Sequence, residues 1–422
     1  MNRKEFFRNA ILAYPALSAG MAYSQIHTSQ VPVDSTNNES FWKLVRSQFP
    51  LTKDITYLNN GTMGVSPYAV IDAVHQKSVS INTKGTYGGG DHEAIDAISK
   101  FVGANKDEIV FTHNVTEGNN IIAQGLPLKK GDEVILTTHE HVGGALPWLN
   151  RAKQDGIILK VINLGNTAAE TLSNIEAAIT KKTKAFALPH IPCTIGQILP
   201  AKEIAALAKS KGIFSFFDGA HGPGMLNLNL HDMDCDFYSS CCHKWMLGPK
   251  GTGFLYIKKE KLETLKPLMV GAYSDSGWDM LSNPPTMTGY SPSAHRFYYG
   301  TQSAELYEGI IAAIKFHETI GKQTIEDRVK YLASYLREGL KNLGPNIELV
   351  TPDEAVSRGA VTAFRLKNMT MQKFQELGNK ENFTIRTVPE NNVNVIRIST
   401  HIYNQIEEID KFIDLTKRCV NS

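Results

Sequence analysis

Asp236-Phe-Tyr-Ser-Ser-Cys-Cys-His-Lys-Trp-Met-Leu-Gly-Pro-Lys-Gly-Thr-Gly-Phe-Leu-Tyr256 decides how the rest of the chain reads. A short apolar run ends in polar residues and the pair His243-Lys244, and a glycine-rich turn leads into a second apolar run. Asp218 stands at the end of the preceding apolar run. An amine held close to a carbonyl condenses with it without a further catalytic group, so Lys244 in this setting suits Schiff-base formation with an aldehyde.

Outward from that stretch, β-rich runs alternate with helical ones from about Asp107 to Ile257. The runs predict strands over 109–112, 133–137, 158–162, 185–188, 213–217, 236–239 and 253–257. Helical segments such as 201–211, closed by Gly212 as a C-cap, lie between them. Strands rich in Val, Ile, Phe and Leu that alternate with helices predict an α/β fold with a mostly parallel, doubly wound, seven-stranded sheet. In such sheets ligands bind beyond the carboxyl ends of the strands. Asn114-Val115-Thr116-Glu117, His139-Glu140-His141, Pro189–Gly196, Asp218-Gly-Ala-His221 and His243-Lys244 all fall there. Five strand ends would supply one rim.

A helix after about Gln302 leads out of this region, and 322–422 reads as a smaller α+β domain. Its last helix is predicted to open with Asn404 as N-cap and Glu407 three residues on, burying Ile406, Ile409, Phe412 and Ile413. In the strand before it Val393, Val395, Arg397 and Ser399 share one face. An arginine on an apolar strand calls for a carboxylate, from a structural salt bridge or from a bound substrate.

At 422 residues, the chain is long enough for a large and a small domain. Lys+Arg 44 against Asp+Glu 42 gives a net charge of +2, with no basic run pointing to nucleic acid. The five cysteines (Cys193, Cys235, Cys241, Cys242, Cys419) lack CxxC spacing and read as free thiols. The histidine pairs 139/141 and 221/231 lack a zinc pattern, so no metal is expected. Gly248-Pro-Lys-Gly-Thr-Gly253 lacks the closing Gly-Lys-Ser/Thr of a P-loop and precedes a strand. At the start, Asn2-Arg3-Lys4-Glu5-Phe6-Phe7-Arg8 precedes a short apolar stretch that ends near Ala22–Ser24. That pattern predicts an export signal of twin-arginine type over 1–24, with a periplasmic or exported protein; a cytoplasmic protein with an N-terminal extension is the alternative. The expected organisation is that signal, a segment 25–66 packing with the small domain, a large domain 67–310 and a small domain 311–422.

The chain resembles fold-type I enzymes of aminotransferase class V, the group that includes cysteine desulfurases, kynureninases and isopenicillin N epimerases. The resemblance runs from Tyr57-Leu-Asn-Asn-Gly-Thr-Met-Gly64 to the final helix, and the segment 243–256 is most similar to the isopenicillin N epimerase branch. It implies pyridoxal 5'-phosphate as cofactor, an amino-acid-type substrate or small peptide, and a homodimer. It further implies that Lys244 holds the cofactor and moves the substrate α-proton, while Asp218 pairs with the pyridine nitrogen. His221 would lie near the ring hydroxyl and His141 against the ring face. Val115, Thr116 and His243 would receive the phosphate at a helix N-terminus. Gly300-Thr301 would reach the neighbouring subunit's cofactor, and Arg397 would grip the substrate α-carboxylate. From the residues alone, Asp218 and Thr116 also fit helix caps, and His141 fits a surface loop. Cys241 and Cys193 stand where desulfurases carry a serine and an asparagine.

A desulfurase of this family needs a nucleophilic cysteine on a loop of the small domain, and 351–397 contains none. The expected chemistry is therefore at the α-carbon: epimerisation first, with transamination or side-chain cleavage as alternatives. A binding protein built on the same fold is the non-enzymatic alternative, and it has no need of Lys244 and Asp218 together. Epimerisation requires proton donors on both faces, and Tyr87 in Gly85-Thr-Tyr-Gly-Gly-Gly90 is the candidate for the second.

Overall fold

The computed structural model describes residue 32 and residues 35–89 and 91–421; the expected export signal lies outside the described residues. The central sheet contains β1 (Ile109–Thr112), β2 (Glu133–Thr137), β3 (Ile158–Ile162), β4 (Thr183–Pro189), β5 (Phe214–Asp218), β6 (Phe237–Cys241) and β7 (Gly253–Ile257). Their order is β1-β7-β6-β5-β4-β2-β3, and only β7 runs antiparallel to its neighbours. Alternate residues of these strands feed two cores, one on each face of the sheet. Phe217, Tyr238, Phe254 and Tyr256 join one core; Phe216, Phe237, Leu255 and Ile257 join the other. Burial on both faces explains why the runs are continuously apolar rather than alternating.

Helices cover both faces. Early in the chain come α1 (Glu39–Arg46), α2 (Tyr68–Lys84), α3 (Asp91–Val102), α4 (Val115–Gly125) and α5 (Val142–Asp155). They are followed by α6 (Ala168–Ala178), α7 (Ala201–Lys211) and α8 (Ala304–Ile320). Gly212 ends α7 at φ 67°, a left-handed C-cap as the sequence suggests. Helix α8 packs against α2 and α3, and Gly321 then turns the chain into α9 (Lys322–Lys341). Between β7 and α8 lies an antiparallel hairpin, Asp275–Asp279 with Thr286–Tyr290, that the sequence reading did not anticipate.

The second sheet is antiparallel. It contains β8 (Ile347–Leu349), β9 (Val361–Leu366), β10 (Arg386–Val388) and β11 (Val395–Ser399) in the order β8-β9-β11-β10. It is covered by α9, α10 (Met371–Lys380) and α11 (Ile406–Val420), whose core includes Leu332, Phe364, Phe374, Phe383 and Phe412. The N-terminal segment joins this part: Thr56–Tyr57 pairs in parallel with Phe383–Thr384, and Arg328 of α9 salt-bridges Glu39 of α1.

Three strand ends and one cap differ from expectation. Strands β4, β5 and β6 extend to Pro189, Asp218 and Cys241, so Asp218 is the last rung of its ladder, paired with Pro189 and Ser239. Helix α11 starts one residue later, with Gln405 as N-cap and Glu408 completing the capping box. Asn404 instead accepts from the His401 backbone and donates to Glu408. The spacing fits both registers, and the tight turn through 401–404 selects the later one. Ile409 and Phe412 are buried in α11, while Ile406 and Ile413 are half-buried at the edge of its stripe. No described helix is long and apolar enough to cross a membrane.

Candidate active site

The carboxyl ends of β2, β4, β5 and β6, the start of α4, the 57–64 segment and β11 converge on one place. Lys244 is fixed there from behind. Gly64 donates its N–H to the His243 carbonyl at 2.8 Å, and a Cβ on Gly64 would lie 2.0 Å from the Lys244 carbonyl oxygen. Glycine at 64 is thus what lets the N-terminal segment close on the lysine's backbone. The Lys244 amine lies 3.4 Å from His221 Nε2 and makes no ion pair among the described residues. His221 is buried, and its pKa falls well below that of free histidine, first through burial and then through the cations Lys244 and Arg397.

Asp218 is buried at the end of β5. One carboxylate oxygen accepts from the side-chain amide of Asn119 at 2.8 Å, the other from the Ala220 N–H at 3.1 Å. No described cation pairs with it. Asn119 also donates to the Gly143 carbonyl at 3.1 Å, tying α4 to the start of α5. His141 caps α5: its Nδ1 accepts from the Gly143 N–H at 3.0 Å, which leaves the proton of the neutral ring on Nε2. Burial lowers its pKa, with Lys244 lowering it further and Asp218 acting the other way. A Cβ at Gly143 would sit 2.4 Å from Thr116 Oγ1 and 3.2 Å from His141 Nδ1. Thr116 and His141 therefore flank one patch of backbone.

Glu140, placed on the rim by the sequence but given no role there, is a member of this site. It is buried, and its Oε1 accepts from both the N–H and the hydroxyl of Thr137. Burial pushes its pKa up to about 8, and the Asp218 carboxylate adds to the rise. A Cβ on Gly144 would lie 3.3 Å from Glu140 Oε2 and 3.4 Å from Asp218 Oδ2, so the two carboxyl groups border the same glycine.

Arg397 is fully buried on β11. Its guanidinium donates to the Cys193 carbonyl at 2.9 Å, Asn59 Oδ1 at 3.0 Å and Thr62 Oγ1 at 2.7 Å. Its Nε is buried without a partner, and no carboxylate salt-bridges it among the described residues. The structural salt bridge left open from the sequence is therefore not what holds it. Burial, followed by the neighbouring charge of Arg386, lowers its pKa to about 10, so it remains charged at neutral pH. A Cβ at Gly61 would meet His221 Cε1 and Ser399 Oγ at 3.2 Å and the Arg397 guanidinium carbon at 3.4 Å, so glycine keeps this wall open between Lys244's neighbour and the arginine. Arg386 pairs with Glu390, and Asn391 donates to the Thr138 carbonyl at 2.7 Å. The 386–391 segment of the second sheet thus reaches the loop that carries His139-Glu140-His141.

The phosphate candidates divide. Val115 and Thr116 open α4, whose first-turn amides face away from the helix body, while Asn114 caps it by accepting from Glu117 at 3.0 Å. His243 is half-buried with its Nδ1 unpartnered, and burial lowers its pKa to about 4. Cys241 packs with Val115 and Ala220 under this helix end. Thr301 is not brought to Lys244: it is exposed and lines a separate cavity of about 280 Å³ with Tyr87, Tyr273, His295 and Tyr298. Tyr87 belongs to that cavity too and is 78% exposed, so within its own chain this candidate second donor lies beside Thr301 and not beside Lys244. All five cysteines are buried, which raises every thiol's pKa.

These residues fit pyridoxal phosphate. Among the described residues, an amine without an ion pair faces a neutral imidazole, a buried carboxylate lacks a cation, a helix N-terminus offers amides, and Gly61, Gly143 and Gly144 leave room between them. The comparisons with known proteins agree. The sequence model of the aminotransferase class-V family matches residues 71–412. An isopenicillin N epimerase of Streptomyces clavuligerus is 32% identical over 332 residues, 76% of this chain and 82% of that protein. A probable cysteine desulfurase of Pyrococcus abyssi is 27% identical over 404 residues, 90% of this chain and 97% of that protein. The apo structure of cysteine desulfurase from Thermococcus onnurineus NA1 has a TM-score of 0.81 at 26% identity, covering 89% of this chain and 97% of that one. The family match spans the rim from α4 to Arg397 and both sheets, and the chain belongs to the class-V aminotransferase family, with its fold-type I architecture.

Proposed function

We propose that this chain acts at the α-carbon of an amino acid or small peptide, in the manner of an isopenicillin N epimerase-like member of its family. The cofactor is pyridoxal 5'-phosphate, and Lys244 is the residue proposed to hold it. The observation that carries the reading is Arg397: a buried, charged guanidinium without a carboxylate partner among the described residues, close to His221 and so to Lys244. A substrate α-carboxylate would complete it, placing the α-carbon near the Lys244 amine.

When bound, the cofactor supplies a carbonyl for an amine and a ring that accepts electrons from an α-carbon losing its proton. In the proposed assignment Asp218, positioned by Asn119 and the Ala220 N–H, keeps the ring nitrogen protonated. Val115, Thr116 and His243 take the phosphate, His141 lies against the ring, and His221 meets the ring hydroxyl. Lys244 moves the proton at the α-carbon. The burial of His221 and Arg397 limits the access of water to that proton.

Cysteine desulfuration is the second reading, favoured by relatives that bear that name. Against it stand two observations. The small-domain segment over the site reads Val388-Pro-Glu-Asn-Asn-Val-Asn394, and every thiol is buried with a raised pKa. A nucleophilic sulfur must be a thiolate with access to substrate. The test is α-hydrogen exchange in deuterated water with single amino acids and small peptides, with and without a keto acid. Exchange that needs no keto acid is the expected result. Amino transfer that depends on the keto acid would move the assignment to a transaminase, and sulfide release from cysteine would move it to a desulfurase.

The proposal includes a homodimer in which Thr301 serves the partner's site, because in its own chain Thr301 lies apart from Lys244. Sedimentation should give twice the chain mass. Mixing inactive Lys244→Ala with inactive Thr301 variants should restore activity in hybrid dimers; hybrids without activity would remove Thr301 from the site.

A further inference from the structure

Trp245 directly follows Lys244, and its side chain turns into the core rather than into the site. It is fully buried, and its indole N–H points at His221 Nδ1 at 3.0 Å. An indole nitrogen can only donate, so His221 Nδ1 must be the unprotonated, accepting nitrogen of that ring. The proton of the neutral imidazole then sits on Nε2, the atom 3.4 Å from the Lys244 amine. We propose that Trp245 is a positioning residue that holds His221 as its Nε2–H tautomer, so that the imidazole offers a donor to the Lys244 side of the site.

The indole is itself held on several sides. It stacks on His401 at 5.5 Å between centroids and 26° between planes, and His401 stacks in turn on Tyr403 at 5.5 Å and 21°. His401 Nδ1 accepts the Ile402 N–H at 2.7 Å, so its Nε2 is the donor to the Trp245 carbonyl at 3.0 Å. Tyr403 donates to Asn60 Oδ1 at 2.8 Å. Gly224, at φ 86°, lies so close that a Cβ would sit 2.4 Å from the Trp245 carbonyl carbon and oxygen. The column therefore links the start of α11 and the 57–64 segment to one ring nitrogen in the site.

Phenylalanine at 245 would keep the packing and lose the donor. The consequence for the chemistry rests on the reading of Lys244 given above, since Nε2–H serves only an acceptor, such as an oxygen of the bound cofactor. The tautomer itself needs no cofactor.

The test is nitrogen NMR of the cofactor-free full chain labelled with ¹⁵N-histidine and ¹⁵N-tryptophan, with His221 assigned from the signals lost in His221→Gln. Wild type should show a protonated Nε2, an unprotonated Nδ1, and a through-hydrogen-bond coupling between Trp245 Nε1 and His221 Nδ1. In Trp245→Phe the Nδ1 resonance should move toward that of a nitrogen without a hydrogen bond. A wild-type His221 protonated at Nδ1, an absent coupling, or an Nδ1 unmoved in Trp245→Phe would overturn the proposal. The wild-type measurement decides even if the variant does not fold. Absorbance of the loaded protein, measured separately, distinguishes a failure of the cofactor reading from a failure of this one.

Discussion

Lys244→Ala protein is expected to fold, to lose the visible band of lysine-bound pyridoxal phosphate, and to turn over substrate at least about 10³-fold more slowly than wild type. The expectation of folding comes from what holds position 244. Its anchor is backbone, through the contact of the Lys244 carbonyl with Gly64 and the bond from the Gly64 N–H to the neighbouring His243 carbonyl. The side chain makes no ion pair among the described residues and one long contact, with His221. Truncation therefore leaves no buried charge unpaired, and the thermal midpoint should stay near that of wild type. Removing the amine deletes both the covalent anchor and the group proposed to move the α-proton, which makes this effect larger than the loss of one hydrogen bond. Absorbance, phosphate-cofactor content and turnover measured on the same preparation check it. A visible band that persists with full intensity would show that another amine holds the cofactor.

Much of this site is legible in the sequence because it is made at strand ends, where the period changes and polar residues interrupt apolar runs. Four of the strands end where the runs 109–112, 133–137, 158–162 and 253–257 end. Asp218, His141, Thr116 and Lys244 are read from the same breaks. The residues that support them are not legible. Asn119 lies inside α4, where an asparagine reads as an ordinary helix position, and only the crossing of α4 over β5 brings it to Asp218. Asn59 and Thr62 are separated from Arg397 by most of the chain. Trp245 reads as core, which it is, and its donor becomes visible only once His221 is placed beside it. Tyr87 is not placed by the sequence either: the turn sets it beside Thr301 and apart from the Lys244 of its own chain.

Arg397→Ala is expected to lower kcat/KM by about 10²–10³-fold, or about 3–4 kcal/mol, the effect of removing one partner from a buried, charge-assisted hydrogen-bond pair. If the guanidinium holds the α-carboxylate equally in the ground state and the transition state, the loss falls on KM and leaves kcat largely unchanged. If the grip also aligns the α-hydrogen with Lys244, kcat falls as well. Arg397→Lys should be nearly as damaging despite keeping the charge. A lysine has no planar fork with which to serve the Cys193 carbonyl, Asn59 and Thr62 while leaving a donor for substrate. Because the arginine is fully buried, either change also costs stability, and activity alone would mix the two effects. The ratio of kcat/KM for an amino acid to that for its α-amide separates them, since a fall in the folded fraction scales both substrates alike. Wild type should prefer the acid strongly, and Arg397→Ala should bring the ratio close to one. A ratio that stays at the wild-type value would confine Arg397 to holding the 57–64 segment against β11, and the α-carboxylate would have to be bound by another group.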